Sequence, residues 1–199
     1  MDPHAARPRT AGPDDVEAAV DILVGAFYRD PLWAWAFPDD DRRREQHGHL
    51  WREFLVGSIR YPWTFLTEHA TAVWIPPGGT ELTPEGEERM ALMLTDLLGD
   101  GAQRVFETFT LLDDAHPHDE AHFHLSLLGT HPDHLGHGYG LALLADGLER
   151  IDALRMPAYL EASNLANVAL YARHGFVPRE TVAAPGGPEV VTMWRAAAR

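Results

Sequence analysis

The sequence predicts an α/β fold, one mixed central sheet with helices on its flanks, and three observations predict it. Residues 121–195 follow the order strand, glycine loop, helix, strand, helix, strand pair. The N-terminal half supplies amphipathic helices around one pair of short strands. A length of 199 residues, 45% of them hydrophobic and 23% charged, suits one globular domain with a sizeable core, so a single domain over 1–199 is expected.

Taken in order, residues 14–28 form an amphipathic helix, because Val16, Val20, Leu23 and Phe27 recur on one face. Asp14 with Glu17 three residues on resembles a capping box that starts it. Pro31 and Pro38 interrupt the helical pattern around Trp33, Trp35 and Phe37, aromatics that serve either as core or as the wall of a small-molecule pocket. A second helix covers 42–59. Residues 63–79 read as two short strands turning at His69 and stopped by Pro76-Pro77-Gly78-Gly79. The pattern is helical again over 84–112, with an interruption at Gly99-Asp100-Gly101, and the polar stretch 113–120 is a loop.

The C-terminal half carries more information. In the strand 121–130, plain alternation puts Ala121, Phe123, Leu125 and Leu127 on one face, and His122, His124, Ser126, Leu128 and Thr130 on the other. After the glycine loop, Leu141, Leu144, Leu148 and Ile151 form a helical stripe. Residues 158–163 make a short strand. Residues 167–174 make a helix ending at Gly175, a left-handed cap. Strands at 176–182 and 189–195 close the chain.

Composition narrows the function. A formal net charge of −14, with 16 scattered cationic residues, disfavours nucleic-acid binding. Negative charge keeps a protein soluble and also concentrates cations such as protonated amines around it. The chain has no cysteine, which removes disulfides, thiolate metal ligands and a cysteine nucleophile together. No apolar run approaches the ~18 residues of a membrane helix, and MDPHAARPRT lacks a signal peptide's apolar core, so no membrane association and a cytoplasmic location are expected.

Gly136, Gly138 and Gly140 lie between a strand and a helix N-terminus, where unpaired amides and the helix dipole favour phosphate. A tight connection without a ligand is the alternative. The dinucleotide pattern fails at Leu141, and no Gly-Lys-Ser/Thr follows. The segment GTHPDHLGHGYGLALL resembles the acetyl-CoA signature of the GNAT superfamily of N-acetyltransferases, whose Gln/Arg-x-x-Gly-x-Gly/Ala loop holds the pyrophosphate. YLEASNLANVALYARHGF is similar to that family's next segment, an Asn before a helix bearing Leu-Tyr and ending in Gly-Phe. The resemblance spans about residues 119–195 and is closest to the puromycin N-acetyltransferase-like branch. It departs from the pattern at Leu135, which stands at the Gln/Arg position.

The resemblance implies a GNAT-type central mixed sheet, acetyl-CoA as cofactor, and direct transfer to an amine. Amides of Gly136, His137, Gly138, Tyr139, Gly140 and Leu141 would hold the pyrophosphate. Leu128, Gly129 and Thr130 would pair with the pantetheine arm, and the Leu128 amide would polarise the thioester carbonyl. Asn164 and Asn167 match asparagines near the cofactor, though each also suits a helix cap.

The chemistry asks for a base and an acid. An alkylamine of pKa near 10.4 is neutral in only about one molecule in 2,500 at pH 7, and a thiolate leaving group benefits from a proton donor. Tyr171, at the family's Leu-Tyr position, is the expected acid. His124 is the expected base, a neutral imidazole on the face of Leu128, where serotonin N-acetyltransferase is similar in having a histidine; Glu161 is its rival. Trp33 and Phe37 are candidate substrate-binding residues, and Trp63 adds to the impression of a closed pocket. His116, His118, His122 and His124 invite a metal, but without cysteine or a His-Glu-x-x-His helix none is expected.

The leading expectation is acetylation of a small-molecule amine by a monomer or homodimer. A protein or peptide acetyltransferase and a non-catalytic acyl-CoA sensor are the alternatives.

Overall fold

The computed structural model describes residues 8–183 and 186–198. Seven strands form one sheet: β1 (Arg9–Thr10), β2 (Thr64–Leu66), β3 (Ala70–Ile75), β4 (Phe123–Thr130), β5 (Ala158–Ala162), β6 (Val177–Ala183) and β7 (Glu189–Arg195). Their spatial order is β1-β2-β3-β4-β5-β7-β6. β4 and β5 are parallel, and the other neighbours are antiparallel. The mixed α/β prediction holds.

The helices are α1 (Val16–Phe27), α2 (Pro31–Ala36), α3 (Arg43–Ser58), α4 (Pro84–Leu98), α5 (Ala102–Ala115), α6 (Tyr139–Ala153) and α7 (Val168–Arg173). Helices α1 to α5 bury Leu23, Leu32, Leu50, Trp51, Leu55 and Leu94 against Val73, Ile75 and Leu127 on one face of the sheet. On the other face α6 and α7 bury Leu143, Leu144, Leu148, Ile151 and Tyr171 against Trp74, Phe123, Leu125 and Leu160. Apolar burial on both faces explains why β3 is buried along its whole length.

Several local expectations are corrected. The capping interaction before α1 sits two residues earlier than expected: the Gly12 amide donates to the Asp15 carboxylate at 2.8 Å, and Pro13–Asp15 form a 3₁₀ turn. Pro31 starts a helix as well as ending one, since its missing N–H costs nothing at a first helical position and Asp30 caps the amides of Leu32 and Trp33. α5 runs on to Ala115, taking in Asp113 and Asp114. α6 begins at Tyr139, so Leu143 joins the buried stripe and Leu141, 38% exposed, does not.

The correction that matters most lies in β4, which begins at Phe123, leaving Ala121 and His122 before it. Val73 pairs with Leu127 but Trp74 pairs with Leu125, so β4 carries one extra residue there, a β-bulge at Ser126. A bulge reverses the faces beyond it. Leu127 therefore packs toward α1 while Leu128 joins the cluster under α6, and His124 and Leu128 lie on opposite faces.

β4 and β5 pair only over Phe123–Ala158, His124–Tyr159 and Leu125–Leu160. Beyond that register β4 continues to Thr130 and β5 to Ala162 without pairing each other, so the sheet opens in a V.

Candidate active site

The V leads into a cavity of about 880 Å³. Leu125–Leu128 line it from β4 and Leu160–Ala162 from β5, while Asn167 and Tyr171 enter from α7. Trp33, Trp51, Phe54, Phe106 and Phe109 give it an aromatic wall. Among the described residues, seven carboxylate side chains border it, Asp30, Glu81, Glu87, Asp113, Asp119, Glu120 and Glu161, and no arginine does. A cavity with apolar walls and an excess of negative charge attracts cations that carry an apolar body.

Trp33 lines the cavity as expected. Phe37 does not: it is fully buried against His47 and Trp33, so it is core. Trp63 does not line it either: half-buried, it packs on Phe123 at 4.3 Å against the core on the α6 side of the sheet.

His124 and Glu161, considered as rivals for one role, form a single unit. They project from adjacent strands on the same face, and His124 Nε2 lies 2.7 Å from Glu161 Oε2. Burial alone would push the imidazole pKa down, but the charge and hydrogen bond of Glu161, helped by Glu81, drive it well above its ordinary 6.5. Burial likewise opposes the Glu161 charge, and His124 and His116 overcome it, so the carboxyl stays well below its ordinary range. The sequence-based expectation of a neutral His124 meets an opposing influence here, since the Glu161 carboxylate favours the protonated imidazole.

Around the pair stand groups that sequence reasoning did not place. His116 Nδ1 is 3.8 Å from Glu161 Oε1, and Glu81 Oε1 is 3.9 Å from His124 Nδ1. The Ser126 hydroxyl donates to Glu81, tying the bulge to the 76–83 loop. The buried Tyr159 ring packs edge-on against His116 at 4.8 Å and fixes its plane. His116 follows α5 directly, so only helix length and docking bring it here, and no local motif marks it.

Tyr171, on α7, is buried, and its phenol faces the cavity. Burial and then the charge of Asp30 push its pKa up to about 12, so it keeps its proton at any physiological pH. Asp30 is the second residue the sequence did not reveal. Its carboxylate accepts from the Leu32 and Trp33 amides and, at 2.7 Å, from the Ser163 hydroxyl, locking the start of α2 to the end of β5.

On the other side of the V lies the glycine loop. Gly136 and Gly138 have φ of 80° and 82°, left-handed conformations that side chains resist, and a Cβ at either would meet no atom within 4 Å. Gly140 is needed for another reason: a Cβ there would lie 2.6 Å from Thr130 Oγ1, so its absence lets α6 start against the end of β4. The first amides of α6, from Tyr139 onward, have no carbonyl within the helix to bond and face the loop mouth. The His137 ring donates to the Leu135 carbonyl at 3.0 Å, and Tyr139 packs edge-on to His69 at 4.9 Å. Asn164 caps a 3₁₀ turn by accepting from the Ala166 amide; Asn167 stands at the start of α7 with no capping bond and lines the cavity.

Comparison with known proteins agrees with this geometry. Residues 85–176 match the model of the acetyltransferase (GNAT) family. A 58-residue stretch, 28% of this chain, is 43% identical to mycothiol acetyltransferase of Streptomyces coelicolor, and it spans about a fifth (19%) of that relative's length. Among solved structures, a histone acetyltransferase HPA2-related acetyltransferase from Corynebacterium glutamicum superposes with a TM-score of 0.73 at 22% identity, covering 98% of both chains. Polyamine N-acetyltransferase of Drosophila melanogaster, which forms N-acetylagmatine, gives 0.69 at 17% identity over 95% of this chain and 98% of that one. Arylalkylamine N-acetyltransferase 2 of Aedes aegypti gives 0.71 at 13% over 96% and 98%. At these identities the structures speak for the fold. Among the described residues, no helix is long and apolar enough to cross a membrane. The segment 85–176 is thus similar to the acetyltransferase (GNAT) family, and the chain as a whole shares its fold with these solved acetyltransferase structures.

Proposed function

We propose that the chain is an acetyl-CoA-dependent N-acetyltransferase acting on a small-molecule amine. The observation that carries this reading is the V between β4 and β5, with the open glycine loop on one side and a carboxylate-rich, aromatic-walled cavity on the other. In this reading the chain works as one cytoplasmic domain over 1–199, binds neither membrane nor nucleic acid, and sits in the puromycin N-acetyltransferase-like branch, whose closing Met-Trp-Arg strand matches Met193, Trp194 and Arg195.

When bound, acetyl-CoA supplies an activated acetyl thioester. The amides from Gly136 to Leu141 hold its diphosphate at the start of α6. Leu128, Gly129 and Thr130, whose edge toward β5 has no strand partner, pair with the pantetheine arm. Asn164 and Asn167 flank the arm from the α7 side. The Leu128 amide polarises the acyl carbonyl.

The acceptor enters from the cavity as an ammonium drawn by the carboxylates, its apolar part against Trp33. A proton must leave that nitrogen before it attacks, and the His124–Glu161 pair takes it. Because Glu161 holds His124 protonated above its ordinary pKa, the base becomes available only as pH rises through that raised value. As the acyl group passed from sulfur to the amine nitrogen, Tyr171 would supply the proton that the departing thiolate takes up. The names of structural relatives, which include polyamine, agmatine and arylalkylamine acetyltransferases, agree with a small amine acceptor.

A panel of polyamines, arylalkylamines and aminonucleosides incubated with acetyl-CoA tests the proposal, read by free thiol release and product mass. The expected result is acetylation of at least one cation with an apolar body. Tight CoA binding with no product from any amine would replace the enzyme by a sensor.

A further inference from the structure

We infer that His116, His124 and Glu161 form a binding site for a divalent zinc-type cation at the inner end of the cavity. One ligand atom from each of the three lies within 4.8 Å of the others. The Glu161 carboxylate is 2.7 Å from His124 Nε2 and 3.8 Å from His116 Nδ1. Four-coordinate zinc with bonds of about 2.0–2.1 Å sets its ligands roughly 3.3 Å apart, so small side-chain rotations bring all three within reach. Two imidazoles and one carboxylate with the fourth direction open to a cavity are a donor set suited to zinc.

The hydrogen bonds behind the ligands supply an independent argument. His122 Nδ1 lies 2.7 Å from the Glu120 carbonyl, which only accepts, so that nitrogen carries a proton. His122 Nε2 lies 3.0 Å from His116 Nε2, so the outer ring nitrogen of His116 is held from behind while Nδ1 is turned toward the Glu161 carboxylate. On the other side, His124 has Glu81 3.9 Å from its second nitrogen, and the Ser126 hydroxyl holds Glu81. His116 thus has a hydrogen-bonded outer partner on the ring nitrogen that would not touch the ion, and His124 has a carboxylate facing its own, an arrangement of the kind that orients metal-bound imidazoles. The ligands come from the α5–β4 loop, β4 and β5, with His124 and Glu161 on one face of the sheet. Such an ion and the proton of the His124–Glu161 pair occupy the same position, so zinc inhibits acetyl transfer from the acceptor side.

Titration of the chelator-treated full-length protein with zinc chloride alone, followed by calorimetry, tests the site without acetyl-CoA or an amine, so its outcome is separate from that of the amine panel. The expected result is one ion per chain, with affinity at least tenfold lower in His116→Ala, His124→Ala and Glu161→Gln. The outer variant His122→Phe should weaken binding by about 10–100-fold. His134→Ala, in the histidine-bearing glycine loop, should bind as the parent does. X-ray absorption of zinc-loaded parent protein should give nitrogen and oxygen neighbours with two imidazoles, a readout independent of how the variants fold. No saturable binding, parent-like affinity in His116→Ala, or loss of binding in His134→Ala instead would each overturn the site.

Discussion

The two sides of the V between β4 and β5 are built by different means. The α6 side is backbone: two left-handed glycines, a third that makes room for Thr130, and the free amides of a helix start. The cavity side is side chain: His116, His124, Glu161, Glu81, Asp30 and Tyr171, drawn from six separate segments. A backbone site needs only a short run of residues with the right dihedrals, so it can be written in one motif. A side-chain site depends on groups that meet only after the sheet has formed, and their charges set each other's protonation. If the loop holds acetyl-CoA as proposed, its backbone contacts would tolerate the departure at Leu135, whereas the side-chain site would fail if one partner were lost.

The most severe break of this contrast is expected at the pair. Glu161→Gln or His124→Ala should lower kcat by about 10²–10⁴-fold at saturating acetyl-CoA, with CoA affinity unchanged. The pH profile sharpens the point. A raised His124 pKa means the base is freed only above 6.5, so the acid limb of kcat/KM should lie above that value in the parent and fall toward it in Glu161→Gln. A parent limb at or below 6.5 would remove the pair from the mechanism.

On the other side, Gly140→Val forces a Cβ within 2.6 Å of Thr130 Oγ1. Overpacking of that kind costs about 1–3 kcal/mol, and if the cost falls on the bound state CoA affinity should drop by roughly 5–150-fold by calorimetry. An unaffected CoA affinity would show that the α6 start does not hold the cofactor. Tyr171→Phe should lose at least about tenfold in turnover while CoA binds as before; equal turnover would exclude the phenol as proton donor. The smallest effect is expected at Asn164→Ala, where loss of the bond to the Ala166 amide should cost about 1 kcal/mol in urea unfolding. Parent-like stability there would mean the cap contributes nothing.

Much of the fold was legible in the sequence because its signals are local. Periodicity located α1, α3 and α4; prolines and glycines located the ends of β3 and α7; and the strand–glycine loop–helix order gave the mixed sheet. The turn expected at 183–188 falls partly on residues 184 and 185, outside the described residues. The errors also have one origin. Alternation along 121–130 assumes an unbroken pleat, and nothing in Ser126 itself announces the extra residue that turns His124 away from Leu128. Phe37 and Trp63 look the same in sequence as Trp33, yet only Trp33 faces the cavity, since an aromatic ring suits a core and a ligand wall equally.

By itself, then, the sequence determined where the backbone must adopt conformations open to glycine, which segments are helices and strands, and which residue types were available for acid–base chemistry. Only the tertiary structure decided that His124 and Glu161 are partners, that His116 and Glu81 stand beside them and Asp30 beside Tyr171, and that the carboxylate favours a protonated imidazole. The physical reason is range: dihedral preferences act within a few residues of chain, whereas Coulomb forces and desolvation act through space between groups the fold alone brings together.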